Sequence, residues 1–335
     1  MRAREGDFVE TSERLFFDVK GLLHPPGRIV AYLRYYPDKR GARSRGGIRY
    51  AKVYDLSRRL RLVGIRWPNY LYHDEAQGRE LQGVPTKNVL KLHKPGQRLA
   101  TLLQPGHRDT LEENAVELVR TLARDSRLSL ARFGVSGSLL VGLHNRESDI
   151  DVIAYGTEAA RRVQASLSAL LAEDECFHMY RTLDLKRLYV RRGLQHALGF
   201  RDFALQESRK VFQGRFLRND YFVRCVKDWR EITERYGWAQ YRPKGRCTMT
   251  ACVVDDSESL LTPCRYLLER VRVLIGDRSC LPREVVSFRG RFVEQARNGE
   301  RILARGRLES VRSRESLHHR LVVGENSTDV LRRIE

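Results

Sequence analysis

Two aspartates separated by a single isoleucine constrain the fold of this chain more than any other feature. Asp149 and Asp151 open the segment 149–153 (Asp-Ile-Asp-Val-Ile), whose alternation is typical of a β-strand. Because side chains alternate across a strand, both carboxylates point to one face and Ile150 and Val152 enter the core. Two carboxylates on one face repel each other unless a cation lies between them. Oxygen ligands of this kind suit Mg²⁺, which usually keeps waters and shares itself with substrate phosphates.

A glycine and a serine precede the acid pair. Phe133 and Val135 alternate like the end of a strand, and Gly137 and Ser138 then open the apolar run 139–143. Glycine lets the backbone turn sharply and approach a ligand closely. The serine offers a hydroxyl at a predicted helix N-terminus, which suits phosphate. A phosphate cradle beside two carboxylates indicates metal-assisted phosphoryl or nucleotidyl transfer.

The combination resembles the signature of the nucleotidyltransferase superfamily of the DNA polymerase β type. That signature is a hydrophobic residue, Gly followed by Gly or Ser, a spacer of roughly ten residues, and Asp-hydrophobic-acid-hydrophobic. Here the segment 136–138 (Ser-Gly-Ser) precedes the segment 149–152 (Asp-Ile-Asp-Val), and Ser136 stands where an apolar residue is usual. The whole chain also looks like an uncharacterised group of predicted nucleotidyltransferases with domains on both sides of the core.

The resemblance implies a function for each residue of the motif. Asp149 and Asp151 would be catalytic and would hold two Mg²⁺ ions, with Mn²⁺ as the alternative. Gly137 and Ser138 would bind the phosphates of a nucleoside triphosphate such as ATP. An acceptor hydroxyl would attack the α-phosphate in line and release pyrophosphate.

The same superfamily normally adds a third carboxylate from a later strand. Our candidate for this catalytic and metal-binding residue is Asp220, which lies in the β-rich segment 219–226. Asp255 and Asp256 are the alternatives, although their surroundings are more typical of a hairpin turn.

The chain carries a large excess of positive charge. Its 335 residues include 62 Lys and Arg against 42 Asp and Glu, which gives a net charge of +20. This imbalance indicates a polyanionic partner, most simply a nucleic acid, with RNA favoured. A thermophile's ion-pair-rich surface is the alternative, and it explains many charges but not the imbalance. Residues 1–104 alone carry 21 basic and 10 acidic side chains.

One stretch of the first hundred residues concentrates this charge. Between Lys39 and Arg61, nine basic residues accompany a single acid, Asp55. Glycines there let a loop follow a phosphate backbone, and tyrosines can stack bases. The alternative is a flexible basic loop that leads into a solvated helix. The candidates for nucleic acid binding in this stretch are Arg43, Arg45, Arg49 and Lys52.

A second basic region is predicted near the C-terminus. The segment 297–300 (Arg-Asn-Gly-Glu) lies between two β-like runs and predicts a tight hairpin turn. In that hairpin Arg291 would face Gly306, and Arg307 would face Gly290. Two Arg-Gly-Arg triplets would then lie side by side, so Arg291 and Arg307 are further candidates for nucleic acid binding. The alternative is a barrel that curves at its glycines.

Breaks in the pattern divide the chain into three predicted domains. Residues 1–104 form a basic, β-rich N-terminal domain, residues 105–237 the nucleotidyltransferase core, and residues 238–335 a β-rich, barrel-like C-terminal domain. The predicted fold class is therefore α+β, with a polymerase β-type core of mixed sheet and helices between two β-rich domains.

The cysteines and the hydropathy bear on the compartment. Six cysteines occur without a C-x-x-C pair or zinc-like spacing, so we expect reduced core thiols in a cytoplasmic protein. We see no signal peptide and no apolar run long enough to span a membrane, so no membrane partner is expected.

These observations predict a metal-dependent nucleotidyltransferase that moves a nucleoside monophosphate to an acceptor hydroxyl, on RNA by preference. One alternative is a non-catalytic nucleic-acid-binding protein that keeps the fold as a scaffold. A basic side chain in the metal site, or an apolar third position, would favour that alternative. Another is transfer to a small molecule, which predicts a closed pocket and little salt-sensitive RNA binding.

Overall fold

A computed structural model describes residues 2–195, 197–314 and 316–334 of the chain. Within these residues it contains three sheets and seven α-helices, which confirms the predicted mixture of α and β structure. The chain divides into two compact units. The first comprises Met1–Asp74, Arg79–His178 and Phe212–Glu234, and the second comprises Glu75–Gly78, Met179–Val211 and Arg235–Glu335.

The first unit begins with an eight-stranded sheet in the region predicted to be β-rich. Its strands are β1 (Phe8–Thr11), β2 (Phe16–Val19), β3 (Arg28–Pro37), β4 (Arg43–Arg45), β5 (Ile48–Lys52), β6 (Leu71–Asp74), β7 (Arg79–Pro85) and β8 (Val89–His93), and its helices are α1 (Leu56–Arg66) and α2 (Pro95–Leu103). The strand order is β4-β5-β3-β2-β1-β8, with β7 paired to β3 and β6 to β7. Strand β3 shows the alternation that favours a strand here. Ile29, Ala31 and Leu33 point into the core, while their neighbours remain partly exposed.

A second sheet of five strands completes the first unit. It contains β9 (Phe133–Val135), β10 (Ile150–Tyr155), β11 (Phe177–His178), β12 (Gln213–Phe216) and β13 (Asn219–Val226), with helices α3 (Thr110–Asp125), α4 (Gly137–Leu140) and α5 (Thr157–Glu173). The strand order is β11-β12-β13-β10-β9, and the sheet is mixed because β10 and β13 run parallel while the other pairs are antiparallel.

The first sheet packs directly on the loop that carries the motif. One apolar cluster joins Phe8, Phe16, Tyr35 and Tyr50 of the first sheet to Leu140, Val141 and Leu143. Burial of such side chains contributes roughly 1.5–3 kcal/mol each. Residues 1–74 and 79–104 therefore belong to the same compact unit as the motif, and they help to fold it.

The second unit contains two helices and a closed ring of strands. Its elements are α6 (Thr182–Arg192), α7 (Phe200–Glu207), β14 (Gln240–Asp255), β15 (Cys264–Ile275), β16 (Pro282–Ser287), β17 (Arg301–Arg312), β18 (Leu317–Val322) and β19 (Val330–Ile334). The pairing β14-β15-β16-β18-β17 closes through a β14–β17 ladder, and β19 adds to β17. The strands of residues 240–334 are therefore arranged as a barrel.

The prediction that residues 297–300 join two neighbouring strands in a hairpin is wrong. A turn is present, because the Glu300 amide donates to the Arg297 carbonyl over 3.0 Å, but the Gly299 amide then donates to Val253 and starts a ladder with β14. Consequently Gly306 lies opposite Cys247 and Arg307 opposite Arg246. The turn signal was local, whereas the choice of partner strand depends on pairing with a segment about fifty residues earlier.

No helix in the described part of the chain is long and apolar enough to cross a membrane. All six cysteines are free thiols, and those of Cys225, Cys247 and Cys264 are buried.

Candidate active site

The acid pair lies at the start of a central strand. Strand β10 is held between β9 and β13, and Asp151 pairs in register with Phe222 of β13. Ile150 and Val152 are fully buried, whereas Asp149 and Asp151 are only partly buried. The alternation predicted from the sequence is therefore present, and both carboxylates lie on the same face of the sheet.

Gly137 lies against the Asp151 carboxylate. It has φ +61, and a Cβ at this position would come within 1.9 Å of Asp151 Oδ2. Any other residue would strain the backbone and collide with the carboxylate. The glycine turn and the acid pair, which a ten-residue spacer separates in sequence, therefore lie in direct contact.

The contacts of Ser136 explain why a serine stands where the nucleotidyltransferase signature usually has an apolar residue. Its amide donates to the Asp151 carbonyl over 2.8 Å, which joins the turn to β10. Its buried hydroxyl donates to the Gly6 carbonyl over 2.6 Å. An apolar residue would leave that buried carbonyl without this partner, so the serine fits the contact between the motif and the N-terminal segment.

Ser138 is also buried, but its hydroxyl has no hydrogen-bond partner among the described residues. It follows Gly137 in α4, which has only four residues. A buried polar atom without a partner costs roughly 1–3 kcal/mol, so this hydroxyl is a candidate ligand contact.

Nearby cations balance the charge of the two carboxylates only in part. Neither Asp149 nor Asp151 forms an ion pair with any residue that the structure describes. Burial and the neighbouring Asp149 raise the pKa of Asp151 to about 6, against the opposing charges of Arg224 and Lys52. Burial and like charge are the ordinary causes of a raised carboxyl pKa. The pair therefore has the charge and the free oxygens that a cation would use.

Three cations face this pair from separate strands. Arg34 lies on β3, Lys52 at the end of β5, and Arg224 on β13, and each lowers the pKa of Asp151. Sequence reasoning missed Arg34 and Arg224, because no motif marks them and they lie far from the acids in sequence. Arg224 could have been found only from the pairing of β10 with β13, because it lies two residues beyond Phe222, the partner of Asp151.

Arg224 is held in place by the buried Glu5 and the partly buried Asp18. Its Nη1 donates to Glu5 Oε1 over 2.8 Å and lies 4.0 Å from Asp18 Oδ1. Glu5 also accepts from Lys20 Nζ over 2.7 Å and is fully buried. These contacts fix the guanidinium near Asp151 without an ion pair to it.

The half-buried Lys52 and the exposed Tyr54 form the rim of the site. Lys52 Nζ lies 4.5 Å from the Tyr54 ring centroid, and the Arg34 guanidinium lies 4.9 Å from the same ring. Burial raises the pKa of the Tyr54 hydroxyl, but the charges of Lys52 and Arg34 lower that pKa on balance. Asp149 acts on both side chains electrostatically. Tyr54 is 57% exposed.

Asp220 lies on the neighbouring strand. It stands in β13 opposite Arg215 of β12, two residues before Phe222, and therefore on the same face as Asp151. Within the described residues, no group of three or more His, Cys, Asp or Glu side chains is arranged to hold a metal. The third-carboxylate role of Asp220 stays a prediction. Asp255 and Asp256 lie in the second unit.

Comparison with known proteins gives one full-length relative. The chain is 30% identical over 333 residues to the uncharacterized protein MJ1086 of Methanocaldococcus jannaschii, a match that covers 97% of this chain and 96% of that protein. The chain belongs to the same family as this archaeal protein. Because the match spans nearly all of both chains, the family includes both compact units. No protein-family model and no solved structure matches the chain.

Two of the predicted nucleic-acid-binding arginines make contacts within the fold. Arg43 Nη1 donates to the Leu143 carbonyl and, over 3.0 Å, to the Ser148 hydroxyl. Arg45 pairs with Glu10 over 3.1 Å. Their contacts join the β4–β5 hairpin to its own sheet and to the loop that precedes Asp149. A role in nucleic acid binding stays a prediction for both.

Arg49 and Lys52 remain available. Arg49 is exposed, and its Nε donates to the Gly41 carbonyl over 2.8 Å. Neither Arg49 nor Lys52 forms an ion pair with a described acid. Of these two candidates Lys52 lies near the acid pair, whereas strand alternation directs Arg49 to the opposite face of β5.

Arg291 and Arg307 do not lie opposite each other's glycines. Arg307 forms ion pairs with Glu309 over 2.8 Å and Glu325 over 2.9 Å. Arg291 lies in a short 3₁₀ turn, where burial lowers its pKa to about 9. The proposed pair of Arg-Gly-Arg triplets is therefore absent, and a nucleic acid role for either arginine stays a prediction.

Proposed function

We propose that the chain is a metal-dependent nucleotidyltransferase with a polymerase β-type core. It would move a nucleoside monophosphate from a nucleoside triphosphate to an acceptor hydroxyl. The observation that carries this proposal is the pair of unpaired carboxylates, Asp149 and Asp151, held against the glycine turn at Gly137. The mixed sheet, with β10 between β9 and β13, supports it.

The donor set fits a divalent cation. Asp149 and Asp151 offer oxygen ligands on one face, and no described cation pairs with them. Burial and the neighbouring Asp149 both raise the pKa of Asp151, and a bound Mg²⁺ or Mn²⁺ would offset both effects. When bound, such an ion would neutralise phosphate charge and polarise the attacking hydroxyl.

The chain's own residues would bind and orient the nucleotide. Gly137 allows close approach of a phosphate to the backbone, and the unpartnered Ser138 hydroxyl can contact a phosphate oxygen. Arg34 and Lys52 add positive charge across from the acids, which complements a triphosphate. Arg224, held by Glu5, limits the negative charge that accumulates at Asp151.

The acceptor is best matched by a nucleic acid, with RNA favoured, because the chain has a net charge of +20. A non-catalytic nucleic-acid-binding protein is the second candidate. Two observations favour it: no third acid joins the pair among the described residues, and Lys52 and Arg224 lie close to the acids.

Label transfer tests the proposal. The protein would be incubated with each α-labelled nucleoside triphosphate, Mg²⁺ or Mn²⁺, and total cellular RNA. Asp149→Asn and Asp151→Asn are the test variants, and Asp125→Asn, an exposed acid at the end of α3, is the control. We expect label in RNA with the parent and the control, and a loss of at least about 100-fold with either test variant.

Each other outcome has a defined reading. Label on the protein itself would redirect the acceptor to a protein hydroxyl. Label on a small molecule without RNA labelling would favour a small-molecule acceptor. Absence of transfer with parent and variants, together with salt-dependent RNA binding by all of them, would replace the enzyme with the scaffold.

A further inference from the structure

We propose that a single-stranded polynucleotide binds the basic surface formed by Lys52, Tyr54, Arg58 and Arg61, and so brings its end to Asp149. This inference names the surface that receives the acceptor, and it rests on the proposed function. The first argument for it is charge, the second is continuity with the acid pair, and the third is an exposed aromatic ring.

The charge of this region is largely uncompensated. Residues 34–66 contain eleven Lys and Arg but only two acids, Asp38 and Asp55. Nine of the eleven form no ion pair with any described residue; the nine are Arg34, Lys39, Arg40, Arg43, Arg49, Lys52, Arg58, Arg61 and Arg66. A polyanion supplies the missing negative charge and releases its counterions on binding.

The basic surface is continuous with the acid pair. Lys52 and Tyr54 lie close enough to Asp149 to feel its charge. Asp55 then caps α1 by accepting from the Arg58 amide over 2.6 Å, which places Arg58 in the first turn. Arg61 follows one turn later, about 4.5 Å further along the helix axis. Both arginines are exposed.

An exposed aromatic ring favours a single strand over a duplex. Tyr54 is 57% exposed, and Lys52 and Arg34 lie within 5 Å of its ring centroid. A single strand can place a base against such a ring and its phosphates against the neighbouring cations. In a duplex the base faces are already stacked, so the ring would add little.

Fluorescence anisotropy with the full-length protein tests this surface. The probes are a labelled 20-nucleotide single-stranded RNA and the matching duplex, each titrated over a series of salt concentrations without nucleotide or metal. The test variant is Arg58→Ser/Arg61→Ser. Its control is Arg272→Ser/Arg278→Ser, which removes the same charge from exposed positions of the second unit. Tyr54→Ala tests the aromatic contact.

We expect the Arg58→Ser/Arg61→Ser variant to bind single-stranded RNA at least tenfold more weakly than the parent. Its slope of log affinity against log salt should fall by about 1.4, because each lost phosphate contact removes about 0.7 from the slope. The control should bind like the parent. Tyr54→Ala should weaken binding of the single strand and leave binding of the duplex unchanged.

Equal weakening by the two double variants would overturn the proposal, as would tighter binding of the duplex or no binding of RNA by the parent. An Asp149→Asn/Asp151→Asn variant separates this inference from the proposed activity. If that variant binds RNA at least as well as the parent and neither protein transfers label, the surface stands and the enzymatic function fails. If label reaches RNA but the arginine variants bind normally, the activity stands and the surface fails.

Discussion

The basic segment 34–66 and the barrel of the second unit differ in how many of their arginines a carboxylate holds. In the second unit, carboxylates hold many of the guanidinium groups: Arg246 pairs with Asp329, Arg265 with Glu258, Arg307 and Arg320 with Glu309, and Arg333 with Glu300. In segment 34–66 of the first unit, nine of eleven basic residues form no ion pair with a described residue. Net charge alone therefore does not locate a polyanion-binding surface. What distinguishes such a surface is positive charge that the fold leaves uncompensated.

The strongest test of the compensated region is removal of a buried carboxylate. Glu309 is fully buried; Arg320 Nε donates to its Oε2 over 2.8 Å, and Arg307 Nη2 lies 2.8 Å from its Oε1 without hydrogen-bond geometry. Glu309→Gln removes the acid that pairs with Arg320 and leaves Arg307 with Glu325, so we expect a loss of about 3–5 kcal/mol in unfolding free energy. Urea unfolding followed by circular dichroism measures it.

Glu269→Gln is the matched control, since that acid is half-exposed and, among the described residues, pairs only with exposed Arg270. A change below about 0.5 kcal/mol is expected for it. If Glu309→Gln unfolds at the same urea concentration as the parent, the arginines of the barrel are not held by their acids. The barrel and segment 34–66 would then not differ in this respect.

An unpaired acid of the first unit should respond in the opposite sense. Asp7 is buried, accepts the Arg4 amide over 3.1 Å, and forms no ion pair with a described residue. Burial raises its pKa from 3.8 to about 7. Between those values the folded state holds a proton that the unfolded chain has released, so stability falls as pH rises from about 4 to 7 and is level above.

Asp7→Asn should therefore unfold like the parent near pH 4 and be more stable by about 2–4 kcal/mol near pH 8. Thermal and urea unfolding at both pH values measure this difference, with the exposed Asp125→Asn as control. A parent and variant whose stabilities remain parallel across this range would show that Asp7 is charged in the folded protein at pH 4.

The sequence predicted the local part of the site and not the distant part. Asp149, Asp151 and Gly137 lie within a short stretch, so alternation and glycine geometry were enough to place them on one face. Arg34 and Arg224 come from other strands, and no periodicity marks their approach to the acids. Pairings between distant strands decide such contacts, and a single sequence does not specify them.

The same limit explains the error near residue 299 and the role of Arg43. The turn at 297–300 was recognised, but its strand pairs with β14 rather than with the preceding residues. The basic character of Arg43 was visible, whereas its hydrogen bonds to the loop at Leu143 and Ser148 depend on the packing of the first sheet. Basic residue type indicates a possible phosphate contact only where the fold leaves the charge free.

A glycine substitution compares the motif turn with a barrel turn. Gly137→Ala puts a Cβ 1.9 Å from Asp151 Oδ2 at φ +61, whereas Gly299→Ala has φ +83 and no atom within 4 Å. The backbone penalty of about 1–2 kcal/mol is common to both substitutions. We expect the collision to lower the unfolding free energy of Gly137→Ala by at least a further 1 kcal/mol. The variant should also lose label transfer. Equal losses of unfolding free energy in the two variants would place Asp151 away from the glycine.

The smallest expected change in unfolding free energy tests most directly whether the arginines of segment 34–66 differ from those of the barrel. Arg58 and Arg61 are exposed and form no ion pair with a described residue, so Arg58→Ser/Arg61→Ser should change the unfolding free energy by less than about 0.5 kcal/mol. Arg307→Ser, which removes one of the two arginines beside the buried Glu309, should cost several times more. Urea unfolding at low and moderate salt measures both. A large loss in the first variant would mean that these arginines stabilise the fold, and their charge would no longer be evidence for a bound polyanion.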